Sequence, residues 1–184
     1  MEGNTQLSHA DHIRSAERFP LSILVEDINS PLNVGSLFRL CDALGIEKLY
    51  LCGDTAVPPN SKINKTSRST EQYVDYEVHE DAAALASLLK RSGTRIIALE
   101  ITHTSIDIGS DEFVTLIDAD RPACLVLGSE NTGIDEKILS LSDNTVHIPM
   151  HGNNSSINVV TAAAIACYLI TRTMATKQKQ SVSE

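Results

Sequence analysis

The stretch IPMHGNNSSINVVTAAAIACYLI, from Ile148 to Ile170, decides the fold of this chain. It begins at the end of a short apolar strand and continues into a loop of Gly, Asn and Ser residues at 151–156. These residue types tolerate unusual backbone angles and carry short polar side chains, so the loop can turn backbone N–H and C=O groups toward a ligand. The run Ala162 to Ile170 is apolar on every side, which predicts a helix buried on every side. We therefore expect a small-molecule site at the loop, with a buried Asn158 at the start of the helix.

Length and composition predict one globular domain. The chain has 184 residues, of which 42% are hydrophobic and 21% charged, as in ordinary globular proteins. Residues 1–18 are polar and predict an N-terminal extension rather than a signal peptide, followed by a domain at 19–172 and a polar tail at 173–184. The apolar run at 162–170 is too short to span a membrane.

The cysteines and histidines favour neither a metal site nor a disulfide framework. None of the 6 histidines has a His or Cys partner at metal-ligand spacing. The 4 cysteines show no CxxC spacing and lie in apolar contexts: Cys41, Cys52, Cys124 and Cys167. We predict that they are buried, reduced thiols in a cytosolic (cytoplasmic) protein.

The charge is unfavourable for a nucleic-acid-binding protein but is unevenly distributed. The formal net charge is −9 and the sequence pI about 5.1. Between residues 58 and 70, however, the chain carries Lys62, Lys65 and Arg68 and no acidic residue. Composition alone favours a solvated loop there.

Apolar segments alternate with helical patterns along the chain. We predict strands at 21–25, 48–52, 95–100, 123–127 and 145–148, an extended piece at 73–78, helices at 34–44, 82–89 and 134–141, and a long loop at 53–70. This alternation predicts an α/β domain with a parallel sheet flanked by helices. Ligands of such sheets bind beyond the carboxyl ends of the strands, so the loops after the strands at 125 and 145 are the expected site.

Three short polar motifs interrupt these elements. They are NVGSLFRLCDALG at 33–45, LVLGSENTGI at 125–134 and IPMHGNNSSINV at 148–159. Taken singly they are ambiguous, since Arg39 is typical of a solvated helix face and Glu130 of a solvated turn. None of them is a Walker loop or a dinucleotide fingerprint.

Together and in this order, the three motifs resemble the SpoU (TrmH-like) family of SPOUT RNA methyltransferases, over about residues 21 to 170. The resemblance implies a SPOUT α/β-knot fold, in which the C-terminal segment passes through a trefoil knot. It also implies a homodimer that binds S-adenosylmethionine in the knot and methylates a ribose 2′-hydroxyl in RNA.

The resemblance also implies roles for individual residues. The family's catalytic positions correspond to Asn33, Arg39, Glu130, Ser156 and Asn158, and its cofactor contacts to Leu99, Gly128, Ile148, Met150 and Ile157. A guanidinium is a poor general base because its pKa exceeds about 12. We therefore expect Arg39 to grip a substrate phosphate, and Glu130 and Asn158 to fix loops and orient Arg39 or the ribose. Lys62, Lys65 and Arg68 are the expected RNA contacts.

One departure from the family lies in this basic segment. KTSRSTE at 65–71 stands where many relatives have KTALGAE, so Ser69 replaces a glycine. A bare catalytic domain favours tRNA, with a guanosine as a candidate target, over rRNA. The alternatives are an rRNA 2′-O-methyltransferase, a non-catalytic RNA- or cofactor-binding module on the same fold, and a nucleotide-binding α/β enzyme of unrelated chemistry.

Overall fold

Strands and helices alternate along the chain. In the computed structural model, which describes residues 18–181, the strands are β1 (Phe19–Glu26), β2 (Ile46–Cys52), β3 (Asp75–His79), β4 (Arg95–Leu99), β5 (Ile106–Asp107), β6 (Ala123–Leu127) and β7 (Asn144–His147). The helices are α1 (Pro31–Leu44), α2 (Ser61–Ser67), α3 (Ala82–Arg91), α4 (Asp111–Leu116), α5 (Glu136–Leu141) and α6 (Val159–Ser181), with a 3-10 turn at Thr70–Gln72.

The strands form one sheet of 7 strands in the order β3-β2-β1-β6-β4-β7-β5, and every pairing is parallel. β6 is the middle strand, and β1 lies beside it, where Ile23 pairs with Leu49 of β2 and with Leu125 of β6. Every residue of β6 is buried, as expected of a parallel strand covered on both faces. The predicted α/β class with a parallel sheet is confirmed.

The helices cover both faces of this sheet because successive strand residues point to opposite sides. Leu21, Ile23 and Val25 of β1 belong to one core, which also contains the buried faces of α1 and α6. Leu24 belongs to the second core, which contains the buried residues of α3 and α5. The predicted burial of all the cysteines is also confirmed.

Sequence patterns correctly predicted the central residues of most helices and strands but missed several short elements. The predicted loop at 53–70 contains α2, whose N-cap Asn60 accepts hydrogen bonds from the backbone N–H groups of Lys62 and Ile63. α2 has only 7 residues, too few to show an amphipathic period. The sequence signal for this helix is its N-cap residue, Asn60. β5 and α4 are also short, and nothing in their sequence marked them as separate elements.

The C-terminal helix differs from its prediction. In this chain Ile165 and Tyr168 are 38% and 54% exposed, so the expectation of burial on every side is wrong for the single subunit. α6 also continues to Ser181, and the domain boundary that we placed between residues 172 and 173 falls inside the helix. Residues 1–17 of the predicted N-terminal extension lie outside the described residues.

Length and apolar composition alone would allow the segment Val159–Gln180 of α6 to span a membrane. Its buried residues, however, include Ala163, Cys167 and Ile170, which belong to the core shared with β1 and α1. The helix therefore has a place inside the α/β fold.

Candidate functional site

A pocket of about 500 Å³ opens at the carboxyl ends of β4, β6 and β7, the edge of the sheet where the sequence predicts a ligand. Its volume is typical of small-molecule sites. The five predicted cofactor contacts all line it: Leu99, Gly128, Ile148, Met150 and Ile157. Three of the predicted catalytic residues line it as well: Glu130, Ser156 and Asn158.

Gly128 is required by the shape of the loop behind this pocket. A Cβ at this position would collide with the backbone of Gly133, so the two ends of the 128–133 loop can approach only without a side chain. We expected Gly128 to admit a cofactor closely, and the structure adds that it admits the returning chain. Gly133 itself has φ +70°, a left-handed conformation that favours glycine.

Glu100 connects two walls of the pocket and was not among the residues predicted from the sequence. One carboxylate oxygen, Oε1, accepts a hydrogen bond from the N–H of Ile101 (2.8 Å), and the other, Oε2, accepts from the N–H of Ile134 (3.3 Å). The side chain thus ties the loop after β4 to the loop after β6. The sequence signal that could have identified it is an acidic residue directly after a buried strand, since β4 ends at Leu99.

A hydrogen-bonded chain joins three of the predicted catalytic residues. Asn33 Nδ2 donates to Glu130 Oε1 (2.7 Å), and Asn158 Nδ2 donates to Asn33 Oδ1 (3.3 Å). Each residue comes from a different motif, so α1, the loop after β6 and the start of α6 meet at this point. Spacing along the sequence does not reveal this contact, because 125 residues separate Asn33 from Asn158.

Asn158 holds its position as the residue before α6. Its Oδ1 accepts hydrogen bonds from the N–H groups of Val160 (2.9 Å) and Thr161 (3.4 Å), which is the bonding pattern of an N-cap. We expected a buried side chain, and this expectation is wrong, since Asn158 is exposed. A cap faces the open end of its helix, and here that end borders the pocket.

Arg39 lies outside the pocket lining, on the exposed face of α1. Ser36, one turn earlier on the same helix, is half-buried, whereas Leu37 and Phe38 point into the core. Among residues 18–181, Arg39 is in no recorded ion pair or hydrogen bond. Its guanidinium is therefore available for a ligand outside the chain.

The predicted RNA contacts are on and beside α2. Lys62, Lys65 and Arg68 are all exposed, whereas Ile63 is buried and anchors the helix against α1. The anchoring contact is close, because a Cβ on Gly35 of α1 would lie 2.7 Å from the carbonyl oxygen of Ile63. The glycine of the first motif therefore allows α2 to lie directly on the helix that carries Arg39.

The pocket is acidic in its charged groups. Its lining contains the carboxylates of Glu100 and Glu130 and includes His147, but no Lys or Arg of the described part of the chain lines it. No cysteine of the described part of the chain lines it either. Elsewhere in the fold, burial raises the pKa of Cys41, Cys52 and Cys124 to about 12. A cationic ligand with an apolar portion fits this lining better than a phosphate-bearing one.

A second pocket of about 470 Å³ adjoins the first along the loop at 149–155. His147 and Ile148 line both pockets. His147 Nδ1 lies 3.0 Å from Ser105 Oγ, so a hydrogen bond holds the loop after β4 against β7. The polar loop at 151–156 thus forms one wall of a continuous cleft.

Comparison with known proteins agrees with this geometry. The chain is 30% identical over 157 residues to the tRNA (guanosine(18)-2′-O)-methyltransferase of Escherichia coli K12, with 83% of this chain and 64% of that protein covered. The structure matches that of the Aquifex aeolicus TrmH/SpoU tRNA modifying enzyme with a TM-score of 0.75, 25% identity, and coverage of 90% of this chain and 80% of that one.

A further match is the SpoU methyltransferase AviRb from Streptomyces viridochromogenes in complex with the cofactor AdoMet, with a TM-score of 0.72, 26% identity, and coverage of 92% and 63%. The chain spans less than two thirds of the length of the E. coli relative. The sequence model of the SpoU rRNA methylase family matches residues 20–168, which is most of the chain. This chain belongs to the SpoU rRNA methylase family.

Proposed function

We propose that the protein is an S-adenosylmethionine-dependent RNA methyltransferase that modifies a ribose 2′-hydroxyl, with tRNA as the substrate. Membership of the SpoU family supports the reaction class. The names of the E. coli and A. aeolicus relatives support tRNA over rRNA as the substrate, and the first of them supports a guanosine as the target nucleotide.

The observation that carries the proposal is the charge of the pocket. S-adenosylmethionine joins an adenosine, whose base has flat apolar faces, to a sulfonium and to the ammonium and carboxylate of its methionine part; its net charge is positive and it carries no phosphate. The lining matches this chemistry, with Leu99, Ile148 and Ile157 as apolar walls, two carboxylates and, among the residues that the structure describes, no Lys or Arg. NAD or ATP would bring phosphates to the same carboxylates, which disfavours the alternative of an unrelated nucleotide-binding enzyme.

Bound S-adenosylmethionine supplies an already activated methyl group, so the protein must chiefly position the ribose hydroxyl and help remove its proton. Arg39 presents its guanidinium on an exposed helix face. It is suited to bind a phosphate of the RNA and to stabilise negative charge that develops on the ribose oxygen.

The chain of Asn158, Asn33 and Glu130 fixes the geometry around that event. Asn33 uses its Nδ2 on Glu130 and its Oδ1 on Asn158, so the orientation of its amide is determined. The second carboxylate oxygen of Glu130 has no recorded partner within the described chain and is available to the ribose. Ser156 offers a hydroxyl on the loop between β7 and α6.

RNA binding is assigned to Lys62, Lys65 and Arg68, which are exposed beside the helix of Arg39. Local positive charge at this surface compensates for the net charge of −9 over the chain. Because each phosphate contact releases condensed counterions, RNA affinity should fall steeply as salt is raised.

We further propose a homodimer and a trefoil knot in the C-terminal segment. The exposed apolar residues Ile165 and Tyr168 on α6 support a subunit interface. In support of the knot, β7 inserts between β4 and β5, and α6 then returns to contact β1 and β6 at the centre of the sheet. A cytosolic location agrees with the buried free thiols.

The test is transfer of labelled methyl from S-adenosylmethionine to total tRNA and to rRNA at low salt, with nucleoside analysis of the product. We expect a 2′-O-methylated nucleoside in the tRNA fraction. Product in rRNA alone would move the substrate to the alternative class. Binding of S-adenosylhomocysteine without any transfer would indicate a non-catalytic module, and a rise in melting temperature with NAD or ATP instead would reject the cofactor assignment.

A further inference from the structure

Tyr73 is an exposed aromatic residue, and the contacts around its side chain do not give it a role in stabilising the fold. Its side chain is 68% exposed, more than any other large hydrophobic residue that the structure describes. Within residues 18–181 its ring makes no aromatic contact and its hydroxyl no recorded hydrogen bond. Only its backbone is tied down, because its N–H donates to the carbonyl of Thr70 (2.9 Å).

The segment before Tyr73 is held in an unusual conformation. Arg68 and Ser69 have φ values of +56° and +66°, a left-handed region that side chains other than glycine seldom adopt. Glu71 braces the turn by accepting a hydrogen bond from Asn64 Nδ2 (2.7 Å) and another from the hydroxyl of Ser67. Partial desolvation raises the pKa of Glu71, but these hydrogen bonds outweigh it and hold the pKa below its ordinary value. A strained turn that its neighbours hold in place is typical of functional sites.

This segment packs on the helix that carries Arg39. α2 and the 3-10 turn both contact α1. Beyond Tyr73, the ring of Tyr76 meets the ring of Phe38 edge-on, with centroids 5.3 Å apart. Tyr73 is therefore held between two anchors on α1, close along the chain to Lys65 and Arg68.

We propose that Tyr73 stacks on an unpaired base of the RNA substrate while Lys65 and Arg68 bind the adjoining phosphates. The inference rests on the proposed function and adds that the RNA bound beside Arg39 contains a loop or another single-stranded region. A duplex buries its bases, whereas an unpaired base presents a π-face that an exposed aromatic ring can cover. The segment 58–70, which precedes the ring, carries Lys62, Lys65 and Arg68 and no acidic residue and so favours a polyanion. Of the acidic residues next to Tyr73, Glu71 is engaged by Asn64 and Ser67, and Asp75 is exposed.

The first experiment compares RNA binding of Tyr73→Ala, Tyr73→Phe and Tyr73→Leu in the full chain, with unmodified tRNA as the probe. Loss of stacking should weaken binding by about 10-fold in the Ala variant. The Phe variant should bind like the natural protein, and the Leu variant, which keeps apolar area without a π-face, should bind like the Ala variant. The matched control is Leu88→Ala, because Leu88 is a 55% exposed apolar residue on α3, which covers the opposite face of the sheet.

The second experiment measures the same variants on a tRNA with single abasic substitutions and on a fully paired RNA duplex. We expect one abasic position at which Tyr73→Ala has no further effect, and no effect of Tyr73→Ala on the duplex. If Tyr73→Ala binds tRNA normally while Lys65→Ala with Arg68→Ala binds weakly, stacking is excluded and the proposed function stands. If the natural protein neither binds nor methylates any RNA, the proposed function fails and the inference with it.

Discussion

The position of Arg39 allows its role in methyl transfer to RNA to be tested separately from cofactor binding. It lies outside the lining of the pocket, so Arg39→Ala should abolish methyl transfer and leave the affinity for S-adenosylhomocysteine within about twofold. Calorimetry with that ligand, beside a methyl-transfer assay, measures both properties. Arg39→Lys is the matched control, since it keeps the charge but loses the planar fork, and it should recover only a small part of the activity. Loss of cofactor affinity in Arg39→Ala would mean that Arg39 contributes to the cofactor site and that its assignment to the RNA is wrong.

Asn33 has a role that only the structure reveals, because its amide donates to Glu130 and accepts from Asn158. In Asn33→Asp a carboxylate would face the Glu130 carboxylate where a donor now stands. Two such groups cannot both ionise without cost, so the pKa of the pair rises and the shared proton restores a donor at low pH. We expect the free energy of unfolding of Asn33→Asp to fall by about 1 kcal/mol at neutral pH. The loss is small because the two carboxylates are solvent-accessible and because the N-terminus of α1 favours a negative charge.

The sign of this pH dependence is the test. Melting temperatures of Asn33→Asp and the natural protein should converge as the pH falls toward 5 and diverge as it rises. Asn33→Ala, which removes both hydrogen bonds without adding a charge, should show a deficit that does not depend on pH over the same range. Parallel pH curves for Asn33→Asp would mean that Asn33 and Glu130 are not in contact in solution.

At the scale of elements, the turn after α2 carries backbone strain, and the Cβ of one residue, Ser69, explains it. Ser69 has φ +66°, a left-handed conformation that favours glycine. Ser69→Gly should therefore raise the free energy of unfolding by about 1 kcal/mol, the difference between relieved left-handed strain and the added freedom of the unfolded chain. Ser69→Ala keeps the Cβ and should not stabilise. Chemical denaturation of the two variants measures this difference, and equal stability would show that the turn relaxes without strain.

Asp143 joins three elements and gives the fold a defined acid sensitivity. Its carboxylate accepts a hydrogen bond from the N–H of Ile96 (2.8 Å) at the start of β4 and pairs with Lys90 of α3 (3.1 Å). Partial burial raises its pKa, but the Ile96 and Lys90 interactions outweigh this and lower the pKa overall.

A lowered pKa means that the folded state favours the ionised carboxylate. This stabilisation is fully present above about pH 4, the range of an unfolded Asp, and is lost as the pH falls through the lower folded value. Asp143→Asn should be less stable than the natural protein at pH 7, and the difference should shrink in strong acid. Denaturant titrations at several pH values measure it. A difference that stays constant down to pH 2 would contradict the pairing.

These elements also show what sequence can and cannot specify. Buried strands such as β6 and capped helices such as α1 follow from local periodicity, and both were located from it. The amide–carboxylate chain of Asn33, Asn158 and Glu130 depends on three distant segments meeting, which local patterns do not contain. The burial of Asn158 was predicted wrongly for a related reason, since capping a helix that opens onto a pocket leaves the cap exposed.

At the scale of the whole molecule, α6 has one face that the single chain leaves uncovered. Thr161, Ile165, Tyr168 and Arg172 follow one another at intervals of three and four residues and are all exposed. Such spacing places them on one stripe of the helix. Ile165 and Tyr168 form its apolar centre, with a polar residue at each end, as in the core and rim of a protein interface.

If this stripe is the subunit interface, Tyr168→Glu places a charge at its centre and should convert a dimer into a monomer. Sedimentation analysis measures the mass, and a monomer of 19.9 kDa is the expected result. The control is Leu88→Glu, which adds the same charge to an exposed apolar site on α3 and should leave the dimer intact. Methyl transfer should fall together with dimerisation if the second subunit completes the RNA surface, because a dimer brings together two copies of the basic segment that contains Lys62, Lys65 and Arg68 on a protein of net charge −9. If the natural protein sediments as a monomer, the stripe on α6 is not a subunit interface, and it would then be a contact surface for another partner.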